Sequence, residues 1–353
     1  MADVLIKAGV PAQDAAIIAD ALLQADKFGF DSHGINRLKT IYLDRIKQGI
    51  LNPVTKIEIV REGPATAVVD GHNGMGHVIS FNSMKLAIEK ARKFGMGMVA
   101  VRNSTHYGFA GYYPLMAVRE NMIGITGTNA RPAIAPTFGV ENMLGTNPLT
   151  FGIPSDEEFP FLLDCATSII QRGKVELYAR ENKEMPAGLI IDENGESKTN
   201  SREVLLDLIA GRASLAPLGG IGEDTGGYKG YGYATVVEIL SAALQQGAFM
   251  KMLTGFSDGK PVPYPLGHFF IVIDINAFTD VDSFKKTTGN ILRELRASKK
   301  MQGHDRIYTA GEKEFETWKA RKDSGVTFSD QLLEEFRGLC KSYDLMEYIH
   351  HFS

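Results

Sequence analysis

Between His77 and Phe94 the apolar residues Phe81, Met84, Ile88 and Ala91 recur at helical spacing, and Gly95 follows as a C-cap. Short apolar runs stand on either side of this helix, at Ala67–Val69 before it and Met98–Val101 after it, and read as strands. A long amphipathic helix between two strands commits the chain to mixed helix and sheet. The same alternation continues further along. Ile57–Val60, Ile123–Thr128, Phe151–Ile153, Phe161–Leu163 and Phe269–Ile275 read as strands. Val236, Val237, Ile239, Leu240, Ala243 and Leu244 repeat as a helix, as does the charged stretch Val281–Leu295. The segment Ala2–Phe30 is helical through Ala15, Ile18, Ala19, Leu22 and Leu23. Asp192-Glu193-Asn194-Gly195 has hairpin-turn chemistry, and Leu215–Gly232 reads as a glycine-dense loop.

This order divides the 353 residues into three regions: a helical part over 1–70, a mixed α/β centre over 71–275, and a helical tail over 276–353 that packs back on the main body. Charge excludes several partners. The formal net charge is -4 with both signs mixed along the chain, so a nucleic-acid or anionic-membrane surface is not expected. The first residues lack a signal-peptide pattern, and no apolar run reaches bilayer length, so a cytoplasmic location is the expectation. Cys165 and Cys340 form no CxxC pair and read as reduced thiols.

The chemistry concentrates at Asp31-Ser32-His33-Gly34. Ile35, Leu38, Ile41, Tyr42 and Ile46 predict one face of a helix that starts there and stops at Gly49, with Ser32 as its N-cap and Arg37 one turn beyond His33. An imidazole, a hydroxyl and a guanidinium at a helix start suit a small carboxylate that exchanges a proton; a cap with a surface salt bridge is the bland alternative. His106 follows an apolar strand and precedes Gly108, Gly111, Tyr112 and Tyr113, a place for either chemistry or structural hydrogen bonding. Asp164 ends the run Phe159–Leu163, where a carboxylate can hold an imidazole in one tautomer or cap the following turn. Thr167 and Ser168 can cap a helix or bind phosphate near Gly173-Lys174. His72 and His77 do not have zinc-motif spacing, so no metal is expected. Neither GxGxxG nor GxxxxGK[ST] is present as a nucleotide fingerprint; the glycines around Lys229 could still wrap an anion.

Taken together, DSHGINRL at 31–38, NSTHYGFAGYY at 103–113, GTNPLTFG at 145–152, DCATS at 164–168, Gly173-Lys174 and GGYKGYGYA at 226–234 resemble the type-2 malate/L-lactate dehydrogenase family over nearly the whole chain. The resemblance implies a mixed-sheet, non-Rossmann nicotinamide-binding domain with N- and C-terminal helical regions packed on it. It implies a homodimer whose active site lies near the subunit interface. It implies His33, His106 and Asp164 as catalytic residues, with Ser32, Arg37 and Asn147 at the substrate. Thr146, Thr167, Ser168, Lys174, Lys229, Gly230, Arg306, Gly311 and Glu312 would then bind NAD or NADP, NAD being favoured. Ala310 stands where the family often has proline before Gly-Glu. The implied reaction is reversible hydride transfer between malate and oxaloacetate. Lactate, sulfolactate and ureidoglycolate are the alternative substrates, and a nucleotide-binding protein without turnover is the non-enzyme alternative. Arg102, Arg131 and Arg172 are candidates for a second carboxylate clamp.

Overall fold

The computed structural model describes residues 1–352. Two helices open the chain, α1 (Ala2–Lys7) and α2 (Ala12–Lys27). After the single turn α3 (Asp44–Lys47) come strands β1 (Glu58–Glu62) and β2 (Thr66–Asp70), helix α4 (Gly76–Phe94) and strand β3 (Met96–Ser104). Helix α5 (Tyr112–Arg119) and strands β4 (Met122–Thr128), β5 (Leu149–Ile153) and β6 (Phe161–Cys165) follow. A smaller lobe holds α6 (Arg172–Arg180), β7 (Ile190–Asp192), α7 (Ser201–Ala210) and β8 (Ala213–Leu215), and α8 (Gly227–Ala242) leads back from it. The hairpin β9 (Phe256–Ser257) and β10 (Lys260–Pro261) precedes β11 (Leu266–Asp274), and α9 (Val281–Ala297), α10 (Glu312–Ser324), α11 (Asp330–Ser342) and a three-ten segment, Met346–Phe352, follow.

Seven strands form one sheet in the order β1-β2-β3-β11-β4-β5-β6. Only β2 and β3 run parallel, joined by the crossover helix α4; every other neighbouring pair is antiparallel. The mixed sheet anticipated from the sequence is present. Strands β1 and β2, from the 1–70 region, lie in the same sheet as the strands of 71–275. β11 is central, with Phe270 opposite Val99 on one side and Thr126 on the other, and it carries fully buried Phe269 and Phe270. Burial of each such ring contributes about 1.5–3 kcal/mol relative to exposure. As expected, α4 ends at Gly95, whose φ of 82° is a left-handed cap.

Three larger cores hold the molecule, beside a small cluster of Ala248, Leu253 and Leu266. One lies between the sheet and α4, α5 and α2, and includes Met84, Ala91, Tyr113 and Phe270. A second joins Leu5, Ile18, Leu38 and Tyr42 of the N-terminal part to Phe336, Leu339 and Cys340 of α11. The third belongs to the smaller lobe, around Ile134, Val175, Ile190 and Val204. Both cysteines are free.

Two sequence expectations need correction. The segment after His33 is not one helix capped by Ser32. It consists of two three-ten turns, Asp31–His33 and Ile35–Arg37, then a π-helix, Leu38–Leu43, before α3. The break is at Gly34, where a Cβ would fall 1.8 Å from an Asp26 carboxylate oxygen. That carboxylate accepts the Ile35 N–H at 2.9 Å in place of a helical carbonyl. Gly49, at φ 71°, does end the segment. The glycine-dense stretch is not loop up to Gly232, because α8 already begins at Gly227. A Cβ at Gly227 or Gly230 would lie 2.0 Å from Gly220 O or 2.1 Å from Leu218 O, so these glycines let the helix rest directly on backbone.

Candidate active site

The broken segment 31–37, the turn after β3 and the end of β6 meet around a cavity of about 220 Å3. Ser32, His33, Arg37, Thr146 and Asp164 line it, together with Phe30, Phe109, Gln171, Arg172 and Gly173. The rings of Phe30 and Phe109 stack at 5.0 Å and make its apolar wall. Gln171, Arg172 and Gly173 bring the N-terminus of α6 to the opposite wall; that helix has no side-chain cap, so its positive end is open to an anion.

His33 and His106 stack face to face, with ring centroids 5.8 Å apart and planes inclined by 15°. Ser32 Oγ is 2.8 Å from His33 Nδ1, and Arg37 Nε donates to Ser32 O at 2.5 Å. Arg37 therefore holds the turn that presents His33. Burial pulls the His33 pKa down to about 4, and the Arg37 charge adds to the effect. His106 is driven well below the ordinary value by burial, then by the positive charge available to His33, His77, Arg37 and Arg45. Both rings are thus neutral at neutral pH.

Asp164 is placed in the cavity wall, but the imidazole contact considered for it is not what its oxygens make. Its carboxylate accepts the Gly111 N–H at 2.6 Å and the Thr150 hydroxyl at 3.3 Å. Burial raises its pKa to about 6 against these two donors, leaving it poised near neutrality.

The other expected residues divide. Asn147 does not line the cavity. Its amide donates to Ala234 O at 3.0 Å and Glu238 Oε2 at 2.8 Å, which turns it into the buried base of α8. Thr167 caps no helix; its hydroxyl donates to Thr146 O and Asn147 O, bracing the cavity's floor. Ser168 is buried outside the cavity lining, and its hydroxyl has no partner among the described residues. Lys174 and Lys229 lie over their neighbours Tyr178 and Tyr228 at 5.7 and 5.6 Å. Gly230 serves the packing of α8. Arg306, Gly311 and Glu312 lie along the other end of β6. Arg306 and Glu312 line a separate cavity of about 740 Å3, with Arg306 paired to Glu312 at 2.5 Å and to Glu316 at 2.6 Å. Gly311, at φ 90°, sits where a Cβ would be 2.9 Å from Leu162 N, so the tail loop lies directly on β6, the strand that carries Asp164.

Sequence reasoning did not single out Tyr42 or His77 for the site. Tyr42 Oη lies 2.7 Å from His106 Nδ1 and 3.4 Å from His77 Nε2. A tyrosine on an otherwise aliphatic helical face was the only signal. His72 diverges from His77, pairing with Glu58 at the surface. Of the three proposed clamp arginines only Arg172 reaches the cavity. Arg102 is bound to Asp70 at 2.8 Å, and Arg131 lies over Phe256 at 5.3 Å.

Known proteins share this architecture. The family model described as malate/L-lactate dehydrogenase matches residues 1–337. A malate dehydrogenase of Pyrococcus horikoshii is 45% identical over 339 residues, covering 96% of this chain and 91% of the relative. An L-sulfolactate dehydrogenase of Methanocaldococcus jannaschii is 38% identical, covering 97% and 94%. The crystal structure of a malate dehydrogenase from Entamoeba histolytica superposes with a TM-score of 0.94 at 47% identity, covering 98% of this chain and 95% of that one.

Proposed function

This chain belongs to the malate/L-lactate dehydrogenase family, and from that premise we propose that it interconverts (S)-malate and oxaloacetate with NAD in preference to NADP. The observation that carries the reading is one small cavity whose wall holds Arg37, Arg172 and the His33 ring that stacks on His106. At about 220 Å3 it is smaller than an ordinary drug-sized site and suits a short acid. Arg37 grips the carboxylate beside the reacting carbon through its guanidinium fork. Arg172 and the open end of α6 receive the second carboxylate, which lactate lacks. L-sulfolactate, also a dianion, meets the same pair and is the second reading.

In oxidation a neutral imidazole of the stacked pair takes the hydroxyl proton; in reduction the protonated ring returns it. Each ring disfavours a charge on the other, so the pair carries one proton at a time. Phe30 and Phe109 exclude water from the wall where charge develops. The nicotinamide, when bound, accepts or supplies the hydride. The residues present fit such a cofactor. Ser168 offers its unpartnered hydroxyl, Thr146 and Asp164 line the reacting end, and Lys174 and Lys229 stand at the first turns of α6 and α8. Arg306, Gly311 and Glu312 would close on it from the tail. Arg296 and Arg306 are already neutralised by Glu157, Glu312 and Glu316, which disfavours the extra phosphate of NADP. A single parallel strand pair supports a non-Rossmann cofactor fold.

The active form is read as a homodimer. Helix α8 leaves Tyr233, Val236 and Ile239 about half exposed, as is Leu244 just beyond its end, an apolar stripe that a second copy would cover.

A panel of malate, lactate, sulfolactate and ureidoglycolate with both coenzymes tests the assignment. Malate with NAD should give the highest kcat/KM. Turnover of another acid with none of malate would reject it.

A further inference from the structure

A neutral imidazole donates at one nitrogen and accepts at the other, so its use at a substrate depends on which nitrogen holds the proton. Around His106 three neighbours decide the matter. The Gly108 N–H, which can only donate, points at His106 Nδ1 from 3.4 Å. Tyr42 Oη is 2.7 Å from the same nitrogen. A nitrogen that faces an obligate donor offers its lone pair, so the Tyr42 hydroxyl donates to it as well. The Tyr42 oxygen is then an acceptor for His77, whose Nε2 is 3.4 Å away.

The state of His77 agrees. With its proton on Nε2, His77 keeps a bare lone pair on Nδ1, and Nδ1 is the ring atom that is buried without a partner among the described residues. Unmade acceptors are tolerated in protein interiors better than unmade donors, as backbone groups show. Tyr42 and His77 are both fully buried, and their rings are 4.9 Å apart. A side chain at Gly108 would strike His77 Nε2, its Cβ falling 2.5 Å away, so the ring is hemmed in on that side too. The π-helix Leu38–Leu43 is the local structure that carries Tyr42 to this position, in keeping with the frequent siting of such helices at functional centres.

We propose that Tyr42, held by His77, is a positioning residue that fixes His106 with its proton on Nε2, so that the ligand-free enzyme presents a hydrogen-bond donor to the substrate oxygen. The inference rests on the acid/base reading of the stacked pair: with Nδ1 accepting and Nε2 protonated, neutral His106 has no lone pair for the hydroxyl proton, so it hydrogen-bonds the substrate oxygen through Nε2–H while His33 takes and returns the proton. The chain His77–Tyr42–His106 orients and does not conduct, because passing a proton outward from neutral His77 would leave an imidazolate. The groups acting on His106 are His33 and Arg37 from the preceding turns, Tyr42 and Arg45 from the segment after them, and His77 from α4. None of these is a carboxylate, so none favours a second ring proton.

Ring 15N–1H correlation spectra of the ligand-free protein, with His106 assigned through His106→Asn, should show Nδ1 as the lone-pair nitrogen. Tyr42→Phe leaves only the long Gly108 N–H contact on Nδ1, so it should admit the other tautomer and lower kcat about 10- to 100-fold, up to the scale of a lost donor to the developing oxyanion, while KM for malate moves less than about 3-fold. It should also move the acid limb of the kcat/KM profile to higher pH, because the neutral ring loses the donor that favours it. A merely structural tyrosine would not shift that limb. His77→Gln, whose amide N–H replaces Nε2–H, should retain the wild-type limb, whereas His77→Leu should follow Tyr42→Phe. An Nδ1–H signal in the wild-type protein, or a Tyr42→Phe profile superimposable on the wild type, overturns the proposal. The spectra need no substrate, so they stay readable even where the malate assignment fails.

Discussion

His33 and His106 face each other at 5.8 Å, nearly parallel, while the carboxylate of Asp164 spends its hydrogen bonds on Gly111 and Thr150. The two imidazoles therefore answer to each other and to nearby guanidinium charge more than to an acidic partner.

The pH dependence follows from the depressed His33 pKa. An ordinary histidine protonates near pH 6.5, but His33 is held down to about 4, so the neutral ring persists across the interval between. Malate oxidation should hold its kcat/KM from neutrality to about pH 5 and fall as pH nears 4, and oxaloacetate reduction should climb over the same range. An oxidation profile with its midpoint near that of free histidine would contradict this.

Arg37 holds the turn through Ser32 O and, on the proposed reading, the substrate as well. Arg37→Ala should raise KM for malate about 100-fold, the scale of a lost buried charge-assisted pair. Arg37→Lys should not restore it, because a lysine has no Nε–H to hold Ser32 O. Steady-state kinetics of the two variants decide the matter; a lysine variant with wild-type KM would refute the bidentate grip.

On the proposed reading, Arg172 in the cavity wall separates dicarboxylates from monocarboxylates. Arg172→Ala should reduce the ratio of malate to lactate kcat/KM by about 10-fold or more, with lactate turnover little changed. Equal losses on both acids would remove Arg172 from substrate selection.

Asp26 makes a stability prediction of opposite sign to the histidines. Burial raises its pKa to about 6, partly offset by the Ile35 N–H. Its folded pKa lies above the unfolded one, so this group favours folding at low pH and that contribution is lost as pH rises through about 6. Asp26→Asn keeps an acceptor for Ile35 and removes the charge. Its Tm should exceed the wild-type value at about pH 8 and lose that advantage at about pH 4.5. Thermal unfolding at the two pH values reads the difference directly.

Long periodic elements were legible in the sequence. The stripe of α4 with its Gly95 cap, and α9, needed only local spacing. So were the gathering of Ser32, His33, Arg37 and Asp164 into one site and the catalytic class, through motif order. What was not legible depends on partners distant in sequence. No local pattern tells that β11 inserts between β3 and β4. The helix expected after His33 breaks because Asp26 fills the space beside Gly34, a tertiary fact. Tyr42 reads as an apolar face residue until its hydroxyl is seen on His106. Asn147 sits in a family motif, but membership says nothing of direction, and its amide turns to Glu238.

The second core joins Leu38 and Tyr42 to Phe336, Leu339 and Cys340, residues about three hundred positions later in the chain. The segment that presents His33 and Arg37 thus lacks part of its support until α11 has left the ribosome. A nascent chain stalled before α11 would already carry His33, Arg37, His106 and Asp164 and still wait for α11 to brace the segment that holds the first two.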